Sequence, residues 1–284
     1  MARFEFRSLT SRDAAAAGAL LHEAYTRAAS TRGLLPPFGS PVDAAALVEE
    51  RLREDREGGV GALAEGGGLA AVGFVRRVGD WAQVGPIASA SSGHGASGAV
   101  LDELCARAEG LGASSIRATY DAGDARAFSL FSSRSFAVVD TAARLLRGAL
   151  PAPRVEGARG LEIAPPRPAD LEAMVELDRR LTGLERGPEL ARVVTLCARR
   201  RGAVVGFLAA KAGQLGPALA LDVADLGVLM ARALTEHAGP AVTLLSTAAP
   251  TAMLAAIGLG FRVVGVEIVA VRGLAPPARP PQLY

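Results

Sequence analysis

Hydrophobic and polar positions alternate between two periods along the first half of the chain. Period two over Phe4–Leu9 predicts a strand, and helical spacing follows from about Asp13 to Ala29. A Pro/Gly stretch at Thr31–Pro41 reads as a loop. A second helix from about Val42 to Asp55 presents Leu47, Val48 and Leu52 on one face. Strands are expected near Val60–Ala64, Leu69–Arg77 and Ala82–Ala88. A helix over about Gly98–Gly110 carries Val100, Leu101, Leu104, Cys105 and Ala108 at i, i+3/i+4 spacing. Strand Ser115–Tyr120, helix Ala125–Ser133 and a strand from Phe136 complete the order β-α-α-β-β-β-α-β-α-β.

The same pattern then recurs. Phe4-Glu5-Phe6 precedes Asp13, and Leu161-Glu162-Ile163 precedes Asp170, with the Glu and Asp eight residues apart in both. Each Asp stands where a helix begins and reads as its N-cap. Val72-Gly73-Phe74-Val75 leads to Gln83-Val84-Gly85-Pro86, as Val205-Gly206-Phe207-Leu208 leads to Gln214-Leu215-Gly216-Pro217. Phe136-Ala137-Val138-Val139 matches Phe261-Arg262-Val263-Val264. Three matches in one order imply duplication of an α/β unit with a mixed sheet. Gly73 should superpose on Gly206, and Phe136 on Phe261. The expected boundaries are a first domain at 1–150, a Pro/Gly linker at 151–160, a second domain at 161–274 and a Pro-rich tail at 275–284.

Composition narrows the function. Half of the 284 residues are apolar and 21% are charged, as in chains with buried globular cores. Net charge is +2, and the arginines form no stripe interleaved with aromatics, so no nucleic-acid partner is expected. Two isolated cysteines (Cys105, Cys197) and three dispersed histidines (His22, His94, His237) make no metal site. No apolar run reaches the ~18 residues of a membrane span, and the N-terminus lacks a signal-peptide core. A cytoplasmic location is expected.

The glycine-rich stretch Ser91–Gly98 lies between the predicted strand Ala82–Ala88 and the following helix. Backbone N–H groups turned outward by glycine, with a helix dipole behind them, suit a pyrophosphate. A flexible strand-to-helix turn has the same composition. Gly93, Gly95 and Gly98 also spell G-x-G-x-x-G, with Asp121 ending the next strand, which imitates a nicotinamide-dinucleotide fingerprint. That fingerprint belongs to the first strand-to-helix turn of its unit, whereas here two helices and a meander come first.

The element order, with a glycine loop after the fourth strand, resembles the GNAT (N-acetyltransferase) fold in tandem. Gly85-Pro86-Ile87-Ala88 resembles the family's fourth strand, whose backbone pairs with the pantetheine arm of acetyl-CoA. Ser92, Gly93, His94, Gly95, Ala96 and Ser97 stand at its pyrophosphate motif, Gln/Arg-x-x-Gly-x-Gly/Ala. Asp124 to Phe136, DARAFSLFSSRSF, resembles Asn-x-x-Ala-x-x-x-Tyr-x-x-x-Gly-Phe. Departures are Ser92 for Gln or Arg, Ser97 for a second small residue, Asp124 for Asn, Ser135 for Gly, and Phe131 for the tyrosine that protonates the departing thiolate. Leu177–Leu190 and Gly216–Ala220 resemble the C-terminal lobe of tandem members. In that copy no glycine precedes the helix, and Asp222 and Asp225 stand where a pyrophosphate would be repelled.

The resemblance implies an acetyl-CoA-dependent transferase acting on an amine of a small molecule or peptide, with no metal. Its cofactor would be held by Ile87, Ala88, Ser92–Ser97, Asp124 and Phe131. Glu65, Asp80 and Asp121 are weak general-base candidates, since a charge at a strand end is more often simply solvated. His22, Tyr25 and Trp81 could line an acceptor pocket or serve as core. The rival readings are a pseudoenzyme that binds CoA or another ligand without turnover and, more distantly, a nicotinamide-dependent enzyme.

Overall fold

A computed structural model describes residues 4–34, 36–91, 93, 95–151, 153, 159–211, 213–237 and 239–274. Most of the expected linker and all of the expected tail therefore lie outside the described residues, as do Ser92 and His94. The chain forms two compact units. Among the described residues, one comprises 4–137 with 270–274, and the other lies within 138–269.

In the first repeat, β1 (Glu5–Ser8) is followed by α1 (Ala14–Ser30), α2 (Pro41–Glu54), β2 (Gly59–Leu63), β3 (Leu69–Val78) and β4 (Trp81–Ser89). Then come α3 (Ala96–Gly110), β5 (Ser115–Asp121), α4 (Ala125–Ser132) and β6 (Ala137–Arg147). The second repeat gives β7 (Leu161–Ala164), α5 (Leu171–Thr182), α6 (Gly187–Val193), β8 (Leu196–Arg200), β9 (Ala203–Lys211) and β10 (Gln214–Ala220). It closes with α7 (Val223–Glu236), β11 (Ala241–Ser246), α8 (Pro250–Gly258) and β12 (Arg262–Gly273). The duplication read from the sequence is present element for element. Gly73 lies in β3 and Gly206 in its counterpart β9, while Phe136 and Phe261 each immediately precede the closing strand of their repeat.

The sheet of the first unit runs β1-β2-β3-β4-β5, with the end of β12 beyond β5. β1 to β4 are antiparallel neighbours, and β5 runs parallel to β4. α1 and α2 cover one face, where Leu20, Leu21, Val48 and Leu52 pack on Val72, Phe74 and Ala88. α3 covers the other. A Cβ on Gly73 would stand 2.7 Å from Val100 and 2.8 Å from Leu104, so this glycine lets α3 approach the sheet closely.

The second unit repeats this arrangement with β7-β8-β9-β10-β11, followed by β6 and β12. Met174, Leu177 and Leu190 of α5 and α6 pack on Phe207 and Leu219. Leu226, Leu229 and Met230 of α7 pack on Ala198, Leu208 and Ala220 on the opposite face. Phe207 thus does for its repeat what Phe74 does for the first. Residues 142–147 of β6 pair antiparallel with β11, from Ser246↔Ala142 to Ala241↔Arg147.

One local expectation changes. Asp13 and Asp170 do not cap α1 and α5 through their side chains. Each closes a short 3-10 turn by reaching back, Asp13 accepting from the Thr10 N–H at 2.8 Å and Asp170 from the Arg167 N–H at 2.5 Å. Arginines secure both: Arg7 donates to Asp13 at 2.6 and 2.8 Å, and buried Arg199 donates to Asp170 through Nε at 3.0 Å. These contacts hold both carboxyls below the usual range, Asp170 at about 2. Among the described residues, no helix is long and apolar enough to cross a membrane.

Candidate functional site

The site is built where β4 and β5 part. Their parallel register runs from Trp81↔Ser115 to Val84↔Ala118 and then stops. At that point β4 bulges. Val84 pairs with Val75 of β3, but the next matched pair on the same face is Ile87 with Gly73. Gly85 supplies the bulge with φ +113°, a conformation open to glycine. Residues 87–89 stay paired to β3, while the edge of β4 that faces β5 has no matched partner beyond Val84. β10 repeats the device, with register lost between Leu215 and Ala218 and Gly216 at φ +136°.

The glycine stretch follows directly. A Cβ on Gly93 would lie 2.9 Å from the Ala70 carbonyl oxygen, so the turn can press on β3 only with glycine there. Gly95 takes φ +82° and is the N-cap of α3. The helix starts at Ala96, two residues earlier than the sequence pattern suggests, so Ala96, Ser97 and Gly98 form its first turn rather than a loop. Gly98 leaves room for Arg134, whose Nη2 would be 2.5 Å from an added Cβ. The dinucleotide spelling is therefore coincidental here. Its glycines serve separate needs, close packing at Gly93 and Gly98 and a positive φ at Gly95, and they follow the fourth strand of a mixed sheet rather than the first of a parallel one.

The first turn of α3 carries no acid. Ser97 Oγ donates to Ser89 Oγ at 2.8 Å, tying the helix start to the end of β4, and Arg27 Nη2 donates to the Ser89 carbonyl at 3.3 Å. A helix N-terminus, one arginine and the free edge of a bulged strand thus converge on Ser89. The corresponding turn of the second unit differs. Asp222 accepts from the Ala224 N–H at 2.8 Å and so caps α7 itself. Buried Asp225, in the same turn, takes Arg200 at 2.6 Å.

The expected site residues separate into groups. Ile87 faces α3 and Ala88 the α1/α2 core. Asp124 caps α4, accepting from the Arg126 and Ala127 N–H groups at 3.0 Å each. Phe131 points inward and is 6% exposed. Its ring lies on Tyr120 with centroids 4.9 Å apart and planes 8° apart, and it meets Phe136 edge-on at 5.1 Å. Asp121 ends β5 beside the parting, but its carboxylate holds Arg32 and accepts the Gly123 N–H at 2.8 Å. Glu65 is exposed at the tip of the β2–β3 hairpin. Asp80 is at the β3–β4 hairpin, the opposite end of β4, where its carbonyl accepts from Ser114. Trp81 is at that far end too, under Arg117 at 5.1 Å. His22 and Tyr25 are half-buried on α1, Tyr25 edge-on to Phe38 at 5.7 Å.

The sequence reading passed over Tyr120, Ser89, Arg27 and Arg134. Tyr120 could have been found by period two. It is two residues beyond Ala118, hence on the same face and just past the parting. Arg27 and Arg134 carry no sequence signal, because tertiary packing alone brings them there. Among the described residues, no cluster of His, Cys, Asp and Glu could hold a metal.

No protein-family model matches the chain, and neither does any curated protein. Solved structures do. A Pyrococcus horikoshii protein described provisionally as an acetyltransferase aligns over 99% of this chain and 93% of its own at 17% identity, TM-score 0.76. A GCN5-related N-acetyltransferase from Sphaerobacter thermophilus aligns over 95% and 97% at 18% identity, TM-score 0.70. The chain has the tandem GNAT fold. A tandem GNAT protein from the clavulanic acid biosynthesis pathway shares it over 97% of this chain and all of its own, at 13% identity and TM-score 0.64. In this GNAT fold the bulged β4, the parting from β5 and the start of α3 all belong to the first unit, with Ser97 tied to Ser89.

Proposed function

We propose that this protein is an acetyl-CoA-dependent N-acetyltransferase acting on an amine of a small molecule or peptide, and that its first unit binds the cofactor. The observation that carries this reading is the free edge of Gly85–Ser89, opened by the parting of β4 from β5 and leading into an acid-free helix N-terminus. An extended polar chain can pair with such an edge as an added strand does, and its pyrophosphate suits the N-terminus of α3 at Gly95–Ser97. Bound there, acetyl-CoA supplies a thioester. Ile87 and Ala88 provide backbone groups, one of whose N–H donors can hold the carbonyl oxygen as charge develops. Placing the amine against the carbonyl carbon accounts for much of the remaining rate.

Isothermal titration with acetyl-CoA, followed by a thiol-release assay against a panel of amines and peptides, tests the reading. Saturable binding with amine-dependent thiol release is expected. Absence of binding would refute it. A second reading, a protein that binds CoA without turnover, is favoured by the inward-packed phenyl ring of Phe131, which offers no proton, and it predicts binding without release.

A further inference from the structure

Acetyl transfer from a thioester ends with a sulfur that needs a proton, and the buried residue of α4 is Phe131, whose phenyl ring has none to give. On the α3 side of the parting, the Ser89 and Ser97 hydroxyls bond to each other, whereas β5 carries a further one. Val84↔Ala118 is the last matched pair of β4 and β5, and Tyr120 is the next β5 side chain on that face. Ile87, the next β4 residue to point the same way, packs towards α3 from across the gap. The Tyr120 ring is 8% exposed, fixed flat against Phe131, with Phe136 bracing Phe131 edge-on. Its hydroxyl reaches solvent and has no hydrogen-bond partner among the described residues. A ring held this tightly with an unengaged hydroxyl is aimed rather than merely packed.

Resting on the acetyltransferase reading, we propose that Tyr120 is the proton donor to the departing sulfur and that Phe131 is the residue that positions it. The acceptor nitrogen attacks the carbonyl carbon, and the carbon–sulfur bond breaks with its electron pair passing to sulfur. The Tyr120 O–H gives its proton to that sulfur. The amine loses its extra proton to water, and the phenolate recovers one from water. Burial pushes the Tyr120 phenol above its usual value, so the group is protonated at neutral pH and able to donate.

The test is Tyr120→Phe, which keeps the ring and its stacking. Two quantities are read on the full chain: thiol release against pH, and the dissociation constants of CoA and of desulfo-CoA, which lacks the sulfur. Transfer should fall by about 10²-fold or more on the general-acid scale, with acetyl-CoA affinity unchanged and the alkaline limb of the pH profile lost. Wild type should prefer CoA over desulfo-CoA by roughly two- to tenfold, the range of one neutral hydrogen bond, and Tyr120→Phe should lose that preference. A variant that transfers like wild type, or keeps the preference, overturns the assignment and leaves the acetyltransferase reading intact. A wild type that binds neither acetyl-CoA nor CoA overturns both. If wild type binds without turnover, the CoA preference alone decides where the hydroxyl points.

Discussion

Asp102 of α3 accepts both Nε and Nη2 of Arg134, at 2.6 and 3.0 Å, and so pins the end of α4 across the first turn of α3. The clamp passes directly over Gly98. It gives that glycine a packing role, and it shows why glycines close together in sequence can have unlike consequences when replaced.

Gly18 and Gly98 make the contrast measurable. A Cβ on Gly18 of α1 would stand 2.5 Å from the backbone of Ala45 in α2. Backbone cannot step aside, so Gly18→Ala must push the two helices apart, at about 1–3 kcal/mol for an overpacked core. At Gly98 the obstacle is the mobile end of Arg134. Displacing it forfeits a partly exposed ion pair worth ~0.2–1 kcal/mol, while Ala in a helix gains up to ~1 kcal/mol over Gly. Gly98→Ala is expected within about 1 kcal/mol of wild type. Urea denaturation of the two variants checks both, and equal losses would contradict the packing argument.

How much could be read from the sequence follows from which forces are local. Period-two and helical patterns placed nearly every element of the first repeat, because α1, α2 and α3 each bury a single face against a sheet. Phe74 and Phe207 sit in register because the same burial recurs. The start of α3 was misplaced because Ser97 and Gly98 look like turn residues, and only Ser89 and Arg134 explain them as helix. Asp13 and Asp170 were recognised as helix-start residues, but their bonds run back to Thr10 and Arg167. Candidate bases chosen as acids at strand ends scattered, Asp80 to one end of β4 and Asp121 into an ion pair, since chain position does not say which end of a sheet is the working one. Tyr120 was hidden because its significance depends on where β4 and β5 part.

The Asp170–Arg199 pair makes stability depend on acid pH. Asp170 titrates at about 2 in the folded chain, against ~3.9 for an unfolded aspartate. Between those values the unfolded chain binds more protons. The stabilisation is therefore complete above about pH 5 and is lost as pH falls towards 2, about 2 kcal/mol in all. Asp170→Asn should remove that pH dependence. It should also destabilise at pH 7, by up to roughly 3 kcal/mol, because Arg199, 1% exposed, would keep only the more distant Glu162 carboxylate at 3.7 Å. Urea midpoints at pH 6, 4 and 2.5 for both proteins check this, since Asp13 is common to them and cancels in the comparison. Parallel curves would show that the pair does not carry the acid sensitivity.

The two helix starts predict one cofactor site per chain, in the first unit. At α3 the N-cap is Gly95 and no acid follows in the first turn. At α7 the cap is the Asp222 carboxylate, already bonded to the Ala224 N–H, with Asp225 in the same turn. An anion approaching α7 meets negative charge where α3 offers a bare positive dipole end. Calorimetry with acetyl-CoA should therefore give a stoichiometry of one. Gly95→Asp should abolish or greatly weaken that binding by bringing to α3 the charge that α7 carries. The substitution also forces a side chain into φ +82°, so loss of affinity alone would be ambiguous. Gly95→Asn resolves it, because asparagine carries nearly the same shape and tolerates the left-handed region about as well without the charge. If the anion site is at α3, Asn should weaken binding modestly and Asp by at least about tenfold more, a difference of ~1.4 kcal/mol that shrinks as salt is raised. Equal affinities for the two variants would place the pyrophosphate elsewhere, and a stoichiometry of two would show that Asp222 does not block α7.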